Sequence, residues 1–123
     1  MVVRQEAINN YLMQIAQHEE YLGRLGITSL PEIETAKATL SNTALSVVEM
    51  QNQAREDVSK IEPALISVAK SNLQAAIQEA IDAGGDPSVG DLLEATQLLA
   101  NEDAALEQLI NIRDALLIGG NPP

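Results

Sequence analysis

The sequence has no cysteine, no tryptophan and no phenylalanine, and only seven Lys and Arg against eighteen Asp and Glu. Without cysteine there are no disulfides, thiolate zinc sites, iron–sulfur clusters or cysteine nucleophiles. Without Trp or Phe, a stacking platform for bases, sugars or flavins has only Tyr11 and Tyr21 to draw on. The shortage of cations is sharpest between Ser71 and Ile112, where no Lys or Arg interrupts Glu79, Asp82, Asp86, Asp91, Glu94, Glu102, Asp103 and Glu107. Nucleic-acid backbones and anionic membranes are both met by clustered cations, and Arg4, Arg24, Lys37, Arg55, Lys60, Lys70 and Arg113 form no cluster. Direct nucleic-acid binding and membrane adhesion are therefore not expected. No apolar run nears the roughly 18 residues of a membrane-spanning helix. Met1-Val2-Val3-Arg4 leads into a mixed polar pattern rather than the apolar stretch of a signal peptide. These features predict a cytoplasmic protein, whether free or incorporated into a virion or another large assembly.

What is present suits a folded domain. In 123 residues with a formal charge of −11, 46% are hydrophobic, enough for a core despite the self-repulsion. From Ala7 to Leu25 the residues Ile8, Tyr11, Leu12, Ile15, Leu22 and Leu25 recur at steps of three and four, which places them on one helical face. Gly26 suits the left-handed residue that closes such a helix. Ser29 with Glu32 has the spacing of a capping box, and Pro31 fits the first turn of the helix that follows.

A second, longer helix is read from Ile33, Lys37, Leu40, Ala44, Val47, Gln51, Ala54, Val58, Ile61 and Leu65, whose alternating steps of four and three describe a heptad seam of the coiled-coil kind. Pro63 interrupts it without a turn cluster around it. Either the helix runs on with a kink, or it stops near Ile61 and a new helix starts, capped by Ser59 with Glu62. Run straight, residues 31 to 83 would span roughly 80 Å, which would make the molecule elongated. After Gly84-Gly85, Asp86-Pro87 reads as the start of a last helix carrying Leu92, Leu93, Leu98, Leu99, Leu106, Leu109, Ile110, Leu116 and Leu117. Asn101-Glu102-Asp103 either lies solvated within that helix or breaks it. No stretch alternates with the period of a strand. The expectation is an all-α fold, a helical bundle of about four helices in one domain over 1–118, followed by a short flexible tail over 119–123. A faint likeness relates Ser29-Leu30-Pro31 and its helix to Asp86-Pro87-Ser88 and its own. Shared helix-start chemistry is enough to account for it.

The residues that could carry chemistry are sparse. His18 is the only histidine and sits on a polar stretch, which excludes paired Glu-x-x-His metal sites and reads as a solvated side chain. The loop Ala83 to Asp91 has glycines but no Lys, and its aspartates would repel phosphate. The adjacent carboxylates Glu19-Glu20, Glu56-Asp57 and Glu102-Asp103 point apart on a helix and read as solvated faces. No metal, cofactor, small-molecule substrate or catalytic residue is indicated, so an enzyme is not expected.

The leading expectation is a non-catalytic structural or assembly protein. It would pack through helix–helix contacts into a homo-oligomer or larger complex, for example as a small virion or bacteriophage connector component. Its candidate contacts are the seam residues Leu40, Val47, Gln51, Val58 and Ile61 and the C-terminal residues Leu98, Leu109, Ile112 and Leu116. The alternative is a small acidic adaptor or export-chaperone-like protein that binds an amphipathic helix of a client through the C-terminal leucines. A third reading is an acidic inhibitor that imitates DNA phosphates with the Glu79 to Glu107 carboxylates.

Overall fold

A computed structural model describes residues 2–42 and 44–119; the expected tail lies, from residue 120 onward, outside the described residues. Among these residues there are five helices and no strand: α1 (Val2–Arg24), α2 (Pro31–Leu40), α3 (Val47–Asp82), α4 (Gly90–Ala100) and α5 (Leu106–Gly119). The all-α helical bundle expected from periodicity is the fold. No helix among the described residues is long and apolar enough to cross a membrane. The chain gathers into two compact units, Met1–Leu65 and Ile66–Pro123, so that the division falls inside α3. In the first unit α1 packs on α2, and in the second α4 packs on α5.

The elements differ from the sequence reading at three places, and at Pro63 they follow one of the two alternatives that the sequence left open. The long seam is broken, because α2 ends at Leu40 and α3 begins only at Val47. Asn42 Oδ1 accepts the Ala44 N–H there, and Ser46 with Glu49 forms a capping box in which Glu49 N–H donates to Ser46 Oγ at 3.1 Å. The box expected at Ser29 and Glu32 does not form; Leu30, in an extended conformation, precedes the helix with no side-chain cap. Pro63 lies inside α3, which continues through it, so Ser59 and Glu62 start no new helix. Finally, α4 starts at Gly90 rather than Pro87, since Asp86 Oδ1 is taken by the Ser88 N–H and hydroxyl in a turn of its own. Asn101 does break the C-terminal stretch: its Oδ1 accepts the Asp103 N–H, and α4 and α5 are separate helices.

The two units share one layout. α1 and α3 both end on a glycine of positive φ, Gly26 at 76° and Gly84 at 98°. The same backbone bonds close them: Ile27 N–H to Leu22 O with Gly26 N–H to Gly23 O, and Gly85 N–H to Ala80 O with Gly84 N–H to Ile81 O. An extended residue, Leu30 or Val89, then enters a short helix. Asn42 or Asn101 makes the turn that ends it. The next helix opens with a donor bonded to a side chain three residues on, Ser46 to Glu49 or Ala105 to Gln108, at 3.4 Å in both. Several buried positions coincide as well. By a constant shift Ala7 falls on Leu65, Tyr11 on Ala69 and Ile15 on Leu73; one residue is added in the loop, and Ile33 then falls on Leu92, Ala36 on Ala95 and Met50 on Leu109. The first half of α3 is thus the third helix of one unit, and its second half is the first helix of the next.

One glycine in this frame is fixed by a close approach. A Cβ on Gly85 would lie 2.7 Å from the Ala80 carbonyl oxygen and 3.0 Å from Leu92 Cδ2. That carbonyl is main chain and is held by the Gly85 N–H at 2.8 Å, so relief would require the backbone to shift. Gly85→Ala is expected to lower the unfolding free energy by about 1–3 kcal/mol, read as a lower urea midpoint at unchanged slope.

Candidate functional site

The residues proposed from sequence as contact points fall into two groups. Gln51 is exposed, and Leu40, Val47, Val58 and Leu98 are half-buried. Ile61, Leu109, Ile112 and Leu116 are buried in the core. The reason is register. On α3 the buried stripe runs through Met50, Asp57, Ile61, Leu65, Ala69 and Leu73, so the expected seam through Val47, Gln51 and Val58 lies on its flank. In the C-terminal stretch, the break at Asn101 folds α4 back on α5 and turns the two leucine stripes toward a shared core. An open hollow of about 470 Å³ remains beside α4 and α5, lined by Glu94, Gln97, Leu98, Asn101, Gln108, Asn111 and Ile112. Its four side-chain amides offer donors and acceptors beside the single carboxylate of Glu94.

The most organised polar site was not expected. Asp57, read from sequence as part of a solvated face, is 2% exposed and is the one buried charged residue among those described. Its Oδ2 accepts the Tyr11 hydroxyl at 2.6 Å and the Thr39 hydroxyl at 3.2 Å, and its Oδ1 accepts the Gln53 amide at 3.1 Å. Three helices therefore meet at one carboxylate, which suits an acceptor-only group removed from water. The neighbouring Glu56 behaves as the sequence suggested, exposed and paired with Lys60 at 3.1 Å. A hollow of about 220 Å³ opens beside Asp57, lined also by Pro31, Glu32, Thr35 and Lys60. Glu32 Oε2 is buried without a hydrogen-bond partner.

Burial, followed by the hydrogen bond to Asp57 and the charge of that carboxylate, pushes the Tyr11 hydroxyl well above its ordinary value. A proton held more tightly in the folded state stabilises the fold fully below the unfolded value of about 10. That contribution is lost as pH rises from there through the folded value. Tyr21→Phe leaves Tyr11 as the sole tyrosine. In that variant, tyrosinate absorbance should stay flat through pH 10 and appear only as the helical signal is lost. A transition near pH 10 in the folded protein would contradict the buried hydrogen bond.

The second unit supplies a comparison for this site. At the positions equivalent to Tyr11, Thr39, Gln53 and Asp57 it has Ala69, Leu98, Ile112 and Leu116. Ala69, Ile112 and Leu116 are buried, and Leu98 is half-buried. The same backbone layout is filled by a polar network in one unit and by aliphatic packing in the other.

The remaining sequence candidates hold no assembled chemistry. His18 Nδ1 lies 2.6 Å from the Gln14 carbonyl oxygen one turn back, on an exposed stretch. Asp86 is held below the usual carboxylate range by the Ser88 hydroxyl and then by the Ser88 N–H. Among the described residues no group of three or more His, Cys, Asp and Glu is placed to hold a metal ion. Comparison with protein-family models, with curated proteins and with solved structures finds no match.

Proposed function

We propose that the chain is a non-catalytic assembly protein that packs through helix–helix contacts into a homo-oligomer or a larger complex, in the manner of small virion or connector components. The observation that supports this reading is the doubled layout. Each unit has its own buried aliphatic core and repeats the same long helix, glycine cap, short helix and turned third helix. Helical units repeated in this way commonly present extended surfaces to other proteins. The charge of −11 favours protein partners over nucleic acid or anionic lipid.

The test is light scattering coupled to size-exclusion chromatography over a concentration series. A mass of a defined multiple of 13.1 kDa supports self-assembly. A mass of 13.1 kDa at every concentration up to about 1 mM would remove it.

A further inference from the structure

The repeat shows where the second unit leaves open what the first one fills. Leu22 and Leu25, at the end of α1, and Leu30, at the entry to α2, are all buried. The equivalent positions in the second unit hold Ala80, Ala83 and Val89. Ala80 is half-buried, Ala83 is exposed and Val89 is 58% exposed. A hollow of about 410 Å³ lies there, lined by these three residues together with Leu92, Ala115 and Leu116. The two helix ends are closed by the same backbone bonds, Ile27 N–H to Leu22 O and Gly85 N–H to Ala80 O. At Ala80 and Ala83 the space is therefore left by shorter side chains on the same backbone path.

Charge decides what kind of partner suits the hollow. Asp86 and Asp91 stand on the same lining, and no Lys or Arg lies between Ser71 and Ile112. Arg24, beside Leu25 in the first unit, has Asp82 as its counterpart beside Ala83. An apolar floor under an acidic rim complements a side chain of leucine size carried on a basic segment.

We infer that this hollow receives an aliphatic side chain from a basic segment of another protein. The aliphatic side chain takes the space that Leu22 and Leu25 fill in the first unit, and the cations of the segment face Asp86 and Asp91. This rests on the assembly reading above, in its larger-complex form, and adds the chemistry of the partner and the place of contact. Burial of the anchor supplies most of the affinity, while the carboxylates select the partner and speed its approach. Salt therefore weakens the interaction without abolishing it.

The test uses the whole protein and three labelled synthetic helical peptides of equal length. The first is built of Lys and Ala with a pair of leucines one turn apart, the second has those leucines replaced by Ala, and the third keeps the leucines and replaces each Lys by Glu. Fluorescence anisotropy is read in about 0.15 M salt. The first peptide should bind at least about tenfold more tightly than either of the others. Ala80→Leu combined with Ala83→Leu gives the second unit the leucines of the first. In that variant the preference for the leucine–lysine peptide should disappear, and the thermal midpoint should rise by about 4 °C or more as the new side chains fill existing space. No binding of the first peptide, or equal binding of any other, overturns the proposal. So does a preference that survives in the double variant, or a midpoint that falls in it, since the space would then already be filled by the protein itself. Light scattering keeps the two readings apart: an oligomer without the preference loses this inference alone, and a monomer that selects the leucine–lysine peptide loses self-assembly alone.

Discussion

Leu109→Asp is expected to unfold the unit built from the second half of α3, α4 and α5, with loss of its cooperative urea transition. Leu109 is 0% exposed and sits at the position that Met50 occupies in the first unit. Removing the leucine forfeits about 2–5 kcal/mol of burial and packing. The carboxylate that replaces it has no donor to meet among Leu92, Ala95, Ile110 and Leu116, all of them buried apolar residues of the same unit. An uncompensated buried charge adds several kcal/mol more. The sum is comparable with the whole stability of a small domain. Leu117→Asp, eight residues on and 48% exposed, serves as the control and should move the transition by no more than about 0.5 kcal/mol. Equal, small effects from the two substitutions would show that Leu109 is not in the core.

The second large effect concerns Asp57. Replaced alone by Leu, it leaves the Tyr11 hydroxyl and the Gln53 amide without their acceptor inside the first unit. A loss of about 3–5 kcal/mol is expected, as when one member of a buried charged network is removed. The second unit shows what completes the exchange. Asp57→Leu together with Tyr11→Ala, Thr39→Leu and Gln53→Ile installs the set found at Leu116, Ala69, Leu98 and Ile112. The small residue then stands where the large one was, and larger aliphatic side chains fill the space opposite. The fourfold variant should recover most of the loss, because replacing a whole buried polar network by packed apolar residues is often neutral or stabilising. Chemical denaturation of the single and fourfold variants measures both. A fourfold variant no more stable than Asp57→Leu would mean that the two units are not equivalent at this site.

How far the sequence foretold this structure depends on how local each cause is. The α1 stripe through Tyr11, Ile15, Leu22 and Leu25 and the glycine cap at Gly26 were legible, since both depend on residues within a few turns. The gap between α2 and α3 was not, although Ser46 and Glu49 carry the spacing that starts a helix. The seven-residue pattern ran across Ala44 without a gap, and periodicity outweighed the capping signal. Asp57 was out of reach for a different reason. Its hydroxyl partner Tyr11 is 46 residues away, and nothing beside it distinguishes it from Glu56, which points to water. The doubled layout was visible in sequence only as two Pro-led helix starts, because the units agree in backbone turns and in several buried positions far more than in residue identity.

A chain that repeats one layout runs the risk that equivalent helices exchange places. Beside α1 and α2, α5 would fit the space of the first half of α3 turn for turn, within one molecule or between two. It would also bring Leu116 against the Tyr11 hydroxyl in place of Asp57. An orphaned buried donor costs about 1–3 kcal/mol, and the Thr39 hydroxyl would lose its acceptor as well. The reverse exchange would bury the Asp57 carboxylate where Ala69 and Leu98 stand in place of the Tyr11 and Thr39 hydroxyls, leaving it only the Gln53 amide of its own helix as donor. The polar cluster thereby penalises both mispairings and leaves the native pairing unpenalised. It works as a lock against swapping between two halves of the same layout.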